Sequence, residues 1–453
     1  MTENPGDEPE NPFKGTPFEQ FFGAGGASGM PDLNALMGQM QAMMAPHDGA
    51  VNWNLAGDIA RRQVAQEPDP SPTQRQQDAV ADAVRLADHW LDEACEFPSG
   101  VHSTAAWSRA EWIESTRDVW KVLVEPVADH VVGAMGNALP DEAKQMAGPL
   151  IGMLGQMGGA MFGSQVGSAL GGLASEVLTA SDIGLPLGPP GRAAVVSTNV
   201  AAFAEGLDVS SDDVLLYLAL REAAHQRLFA HVPWLREHLI SAVADYGSGI
   251  AIDTAGIEEQ MRNLNPSDPT AIQEALEGGL FEPKKTPDQE AALQRLETTL
   301  ALVEGWVDEV VGQATAERMP AAAKLQEAVR RRRAAGGPGE QTFAALVGLE
   351  LRPRRLRDAS TLWGSLRSRH GTDARDAVWL HPDLLPTAED LDDPLGFREE
   401  TAEPLTPSDD DFDAELAKLL DEGTGPDGTG SDGTGSGSGG TGSEGADEDD
   451  PRE

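Results

Sequence analysis

Cysteine is nearly missing from this chain. Cys95 is the only one in 453 residues, so no internal disulfide can form and a zinc site built on thiolates is excluded. Aromatic residues are sparse at 5%, so the core has to rest on Ala, Leu and Val with tryptophan anchors. Basic residues are short as well: 33 Lys and Arg face 75 Asp and Glu, a formal charge of −42. That balance argues against a nucleic-acid backbone or an anionic lipid surface as partner. The opening residues, Met1 to Glu8, lack the basic and apolar regions of a secretory leader, and a cytoplasmic address is expected. No glycine-rich loop with phosphate-binding spacing precedes a helical pattern, and no G-x-S-x-G occurs. Cys95 lies close to Glu93 and Glu96, where a raised thiol pKa and an inert side chain are expected.

One stretch lacks charge altogether. From Gln145 to Ser175 there is no ionisable side chain, and glycine recurs at 152, 155, 158, 159, 163, 167, 171 and 172. A membrane hairpin with closely packed small residues is one reading. Gln156, Ser164, Gln165 and Ser168 interrupt the run, and Gly and Ala contribute little transfer energy. Two short, tightly packed helices, or a helix and a loop, inside a fold that does not enter a membrane are therefore expected.

What is present is mostly helical patterning. Residues 1–50 are rich in Gly, Pro, Asn and Glu around a Met-rich patch, Leu33 to Met44. This composition predicts a mostly disordered region holding one short recruitable helix. Residues 51–400 form the folded part. Val80, Val84, Ala87 and Leu91 fall at helical spacing, as do Trp112, Val119, Trp120 and Leu123 before Pro126. The run 193–200 is the best strand candidate. Helices are predicted at 211–229, capped by Ser210 or Ser211, and at 234–246 beyond Pro233. Others are predicted at 256–263, 269–277, 287–314, 321–333, 341–349 and 354–369. Arg330 to Arg333 read as a solvated helix C-terminus, where cations oppose the macrodipole. Residues 401–453 carry 16 acidic and two basic side chains and read as a disordered acidic tail. The fold class is mostly α, with at most a few short strands.

Two patterns could carry chemistry. On the helix 211–229 the stripe Val214, Leu218, Glu222, His225, Phe229 places a Glu and a His on a face that should be apolar. Buried polar groups cost free energy unless paired or coordinated. In an H-E-x-x-H helix two His one turn apart hold zinc and the Glu activates the metal-bound water. Here the register is Arg221-Glu222-Ala223-Ala224-His225, with Arg in place of the first ligand. Glu304 and Asp308 lie one turn apart on a second apolar stripe with Leu300 and Val311. They pair with Arg221 or support a metal.

The runs REAAHQRLFAHVPW (Arg221–Trp234), LVEGWVD (302–308) and DAVWLHPDLLPTAEDLDDPLGF (Asp376–Phe397) resemble the actinobacterial zincin-like zinc-dependent metalloproteases or hydrolases. A sister group of that family is linked to coenzyme F420 biosynthesis. The resemblance spans roughly residues 80–400. It implies a zincin-like helical scaffold, Glu222 as general base, and His225 and Glu304 as zinc ligands, with Asp308 supporting the site from behind. A guanidinium at position 221 cannot donate a lone pair and repels a cation. His381, before a proline, is the substitute ligand to consider. Two functions follow: a zinc-dependent peptidase-like hydrolase with an altered first ligand, or a metal-free pseudo-peptidase with Arg221 in the site. Either would act on, or bind, a peptide or protein.

Overall fold

Short polar caps and prolines set the helix boundaries, and apolar faces decide how the helices stack. The computed structural model describes residues 47, 49–137, 148–248, 286–334, 342 and 355–398. In chain order these hold α1 (Trp53–Val64), α2 (Gln74–Leu91), β1 (Ser103–Trp107), α3 (Arg109–Asn137) and α4 (Gly148–Glu176). Then come β2 (Arg192–Val196), α5 (Ser197–Ala204), α6 (Ser211–His231), α7 (Pro233–Ser248) and α8 (Pro287–Thr315). Last are α9 (Ala322–Ala334), α10 (Leu356–Ala377), two 3₁₀ turns (Val378–Leu380 and Pro382–Leu384) and α11 (Ala388–Asp392). The mostly α class is what the patterning predicts. The expected helices at 256–263 and 269–277, nearly all of 341–349, and the Met-rich patch lie outside the described residues, as does the whole acidic tail, 401–453.

Local signals explain the boundaries near the site. Ser210 caps α6 by accepting from the Asp213 N–H, and Pro233 opens α7 immediately afterwards. Thr286 and Gln289 form a reciprocal capping box at the start of α8, with Pro287 in the first turn, where its missing N–H costs nothing. Two expectations are corrected. The strand ends at Val196 instead of 200, and the chain turns directly into α5. β2 pairs in parallel with β1, a strand the pattern did not suggest. α3 also continues past Pro126 to Asn137.

The uncharged stretch forms one long helix, α4, where two short ones or a helix and loop were expected. Its glycines let α1 approach closely. A Cβ on Gly163 would lie 2.6 Å from the Asn52 carbonyl oxygen, and one on Gly167 2.6 Å from that of Ala56. Among the described residues no helix is long and apolar enough to cross a membrane.

α6 is the centre of the molecule. Every residue from Tyr217 to Leu228 is buried, which no amphipathic surface helix would be. α2 packs on one side, α8 on another, and β2 on a third. Trp112, Trp120, Trp306, Trp363 and Trp379 anchor the surrounding core.

Candidate functional site

Two antiparallel helices meet along a polar seam. On α6, Tyr217, Arg221 and His225 follow one another at one-turn spacing; on α8 the facing positions, in reverse order, are Gly312, Asp308 and Glu304. α9 adds a third row, Gln326, Arg330 and Arg333. Side chains four residues apart share a helix face, so each row presents its polar groups to the other two.

Glu304 is the hub. Its Oε2 accepts from Arg221 Nη2 at 2.5 Å, and its Oε1 accepts from Arg333 Nη2 at 2.8 Å. His225 Nε2 lies 3.0 Å from the same Oε1, and His225 Nδ1 lies 2.8 Å from the Arg221 carbonyl oxygen. Both ring nitrogens thus face oxygen atoms. Burial alone would push the Glu304 carboxyl up. The positive charges of Arg333, His225 and Arg221 outweigh it and hold the group down at about 2.

Asp308 is held mainly by α9 and α10. Its Oδ2 accepts from Arg330, from Gln326 Nε2 at 3.1 Å and from Ser360 Oγ at 3.0 Å. Arg221 Nη1 reaches only to 3.6 Å of Asp308 Oδ1, an ion pair without a hydrogen bond. Of the two acids the sequence offers to Arg221, Glu304 takes the hydrogen bond and Asp308 only the ion pair.

Glu222 points elsewhere. Its Oε2 accepts from the Ser181 N–H at 3.1 Å, and Oε1 accepts from Gln226 Nε2 at 2.9 Å and weakly from Ser181 Oγ. Burial raises its pKa, and His225 and these donors offset the shift only in part. Ser181 belongs to the segment joining α4 to β2, which covers the seam. In that segment Asp182 receives Arg332 Nη1 at 2.8 Å, Arg333 donates to the Asp182 carbonyl oxygen, and Gly184, at φ +78°, backs onto Glu304.

The structure brings Arg221, His225, Glu304 and Asp308 together and puts Glu222 on the adjoining face of α6. His381 is elsewhere. It is exposed, and its Nδ1 accepts from the Asp383 N–H to cap a 3₁₀ turn, so it is corrected as a substitute ligand for this seam. The reading of Arg330 to Arg333 as a solvated terminus is corrected too, since Arg330, Arg332 and Arg333 turn inward onto Asp308, Asp182 and Glu304. No local pattern distinguishes this from a solvated run, because the acids lie 22 to 150 residues away.

A second buried network flanks the first. Arg375, fully buried, donates to Asp376, Glu309 and the Ala94 carbonyl oxygen. Arg227 donates to Asp88, Asp92 and the Phe97 carbonyl oxygen. Cys95 lies between them, and burial pushes its thiol up to about 11, as expected of an inert cysteine.

A separate groove of about 550 Å³ opens on the side of α8 facing away from Glu304. His238, Arg295, Thr299, Leu302, Pro382 and Leu385 line it. Thr299 Oγ1 donates to the Arg295 carbonyl oxygen, so His238 Nε2, 3.4 Å away, is the donor in their weak contact.

The donor set does not fit a zinc ion. Both oxygens of Glu304 and the Nε2 of His225 are already engaged with one another and with two guanidinium groups. Arg221 stands where a third ligand would have to stand, and it offers no lone pair. Four arginines, 221, 330, 332 and 333, face three acids, Asp182, Glu304 and Asp308. The seam already carries an excess of positive charge.

The sequence model of the zincin-like metallopeptidases matches residues 51–397. A crystal structure from Chloroflexus aurantiacus, described provisionally as a hydrolase with a novel fold, superimposes with a TM-score of 0.55 at 20% identity, covering 76% of this chain and 96% of that one. No curated protein matches the chain.

Proposed function

Because this chain belongs to the zincin-like metallopeptidase family, we propose that it keeps the family scaffold but has exchanged the zinc centre for a buried arginine–carboxylate seam. The protein is then a metal-free pseudo-peptidase that binds peptide or protein segments. One observation carries this reading: Arg221 and Arg333 each hold one oxygen of Glu304, at 2.5 and 2.8 Å, inside the fold. A bound cation would have to displace two fixed positive charges to reach that carboxylate.

Glu222 supports the same conclusion. A general base needs a free lone pair facing a water or substrate. Here both oxygens already accept hydrogen bonds, Oε2 from the Ser181 N–H and Oε1 from Gln226, and the segment carrying Ser181 occupies the approach. The groove beside α8 supplies the binding face. It offers apolar surface from Leu302, Leu385 and the prolines, and donors from Arg295 and His238, a mixture suited to an extended peptide. The net charge of −42 keeps nucleic acid from being the partner.

A second reading, zinc-dependent hydrolysis, has one observation in its favour. His225 Nδ1 is tied to a backbone carbonyl and Nε2 is turned toward Glu304, which is how a metal-ligating His is commonly oriented. It requires both arginines to leave Glu304.

The two readings separate in one experiment. Full-length protein is stripped with chelator, incubated with zinc, desalted and subjected to elemental analysis, alongside a cleavage assay on unfolded casein. Zinc far below one equivalent and no cleavage are expected. Stoichiometric zinc with chelator-sensitive cleavage would establish the hydrolase instead.

A further inference from the structure

The groove beside α8 changes character along its length. Six residues of that helix line it: Ala291, Gln294, Arg295, Thr298, Thr299 and Leu302. Steps of three and four keep them on one helix face. From the first to the last the helix rises about 16 Å, the length of about five extended residues. Leu302 gives apolar surface at one end of this stripe, and Leu385 and Pro386 add more from the wall formed by residues 382–389. Arg295 and Gln294 stand toward the other end, with Arg295 about 10 Å from Leu302 along the axis.

Charge is divided between the two walls. Arg295 is the cation on the α8 side, and Asp383 and Glu389 lie on the other. Among the described residues Arg295 has one acid partner, Asp245, at 3.5 Å, and both side chains are more than half exposed. Such a pair is loose and wet. Its guanidinium charge is felt inside the groove, because burial and Arg295 together hold His238 below the ordinary histidine value. His238 is itself positioned, with Nε2 3.4 Å from Thr299 Oγ1 and its ring edge-on to Trp234 at 5.6 Å. A loosely held guanidinium, about three extended residues from an apolar patch, suits a carboxylate at the end of a short apolar stretch.

We propose that this groove takes the free C-terminus of a peptide, with the terminal carboxylate on Arg295 and an apolar side chain two residues upstream packed over Leu302 and Leu385. Arg295 is one turn from Ala291, where the α8 lining stops. A chain that ends at Arg295 therefore fits, and one that continues must leave the groove within about 6 Å. Asp383 and Glu389 oppose further acidic residues, so the peptide is otherwise neutral or basic. The proposal rests on the peptide-binding reading above and adds which part of a peptide is held and in which direction.

The test titrates full-length protein with acetyl-Ala-Leu-Ala-Ala as the free acid, with its C-terminal amide, and with acetyl-Ala-Leu-Ala-Asp-amide, following His238 by NMR. The free acid should bind about fivefold more tightly than either amide, the value of one part-exposed charge pair. Arg295→Gln, at an exposed position, should remove that difference and leave the binding of the simple amide unchanged. The free acid should also raise the His238 pKa where the simple amide does not, because its carboxylate offsets the Arg295 charge. The other charged groups around that ring, Asp245, Asp383 and Glu389, are the same in both complexes. Acid and amide binding equally, a preference that survives Arg295→Gln, or an Asp peptide that binds as tightly as the free acid would each overturn the C-terminal assignment while leaving the peptide-binding reading in place. No saturable binding of any of the three at millimolar concentration would overturn both.

Discussion

His225 is fixed by Arg221 through the backbone, not the side chain: its Nδ1 lies 2.8 Å from the Arg221 carbonyl oxygen. The ring therefore keeps its orientation whatever side chain stands at 221, and Nε2 stays aimed at Glu304 Oε1, 3.0 Å away. Position 221 is thus free to decide what else reaches Glu304. In this chain it sends a guanidinium.

Glu304 is the residue whose loss should cost most. Glu304→Ala leaves buried Arg221 and His225, and half-buried Arg333, together with no carboxylate between them. Breaking a buried pair in this way costs roughly 3–5 kcal/mol. Glu237, exposed on α7, supplies the control, and Glu237→Ala should change stability by less than about 0.5 kcal/mol. Urea unfolding of both variants checks this. Equal, small effects would place Glu304 outside a buried network.

The two buried glutamates should respond to pH with opposite signs. Glu304 is held at about 2 in the folded protein, below its ordinary 4.5. Its stabilisation is complete above 4.5 and is lost as pH falls toward 2, a term on the order of 3 kcal/mol. Glu222 is raised by burial, so its contribution is present below the ordinary value and is lost as pH rises through the raised one. Glu304→Gln should therefore flatten the loss of stability between pH 4.5 and 2, while Glu222→Gln should leave that limb intact. Denaturant midpoints measured across that range distinguish the two.

Much of the frame is legible in the sequence because its signals are local. Ser210, Pro233, Thr286 and Pro287 mark the ends of α6, α7 and α8 within a residue or two. The Glu and His on the α6 stripe, and the two acids on the α8 stripe, also mark a buried polar site correctly. What is not legible depends on distant partners. Arg330 to Arg333 read the same whether they face water or Asp182 and Glu304. The glycines of α4 reveal close packing but not whether one helix or two result, because the partner backbone belongs to α1. β1 depends on pairing with β2, 89 residues further along at Ser103 and Arg192, which no window of a few residues contains.

Gly305 should be the least tolerant glycine of α8. A Cβ there would lie 2.5 Å from Ala359 Cβ and 2.7 Å from the Ser360 nitrogen. Gly305→Ala must push α10 away, and Ser360 Oγ, a partner of Asp308 at 3.0 Å, would move with it. A cost of about 1–3 kcal/mol is expected for such overpacking, despite alanine's higher helix propensity. Thermal unfolding measures it. An unchanged or raised midpoint would show that α8 and α10 do not meet as closely as described.

The last prediction concerns how much must change before the site holds zinc. From the sequence alone, Arg221→His looks sufficient, since it places two imidazoles one turn apart, at about 6 Å of axial rise on one face. The structure changes that expectation. With Arg221 removed, Arg333 still donates to Glu304 Oε1 at 2.8 Å, and its charge still opposes a cation. The single variant should therefore take up little zinc. Arg221→His combined with Arg333→Ala frees both oxygens of Glu304 and removes both guanidinium groups, leaving two imidazoles and a carboxylate, a ligand set of catalytic zinc type. The double variant should bind about one equivalent of zinc and gain thermal stability when zinc is added, since a ligand of the folded state alone shifts the equilibrium toward it. Stoichiometric zinc in the single variant would show that Arg333 yields readily and does not guard Glu304. No zinc in the double variant would mean that His225 and Glu304, though 3.0 Å apart, do not present their lone pairs to a common point, so that the seam was never one substitution pair away from a metal centre.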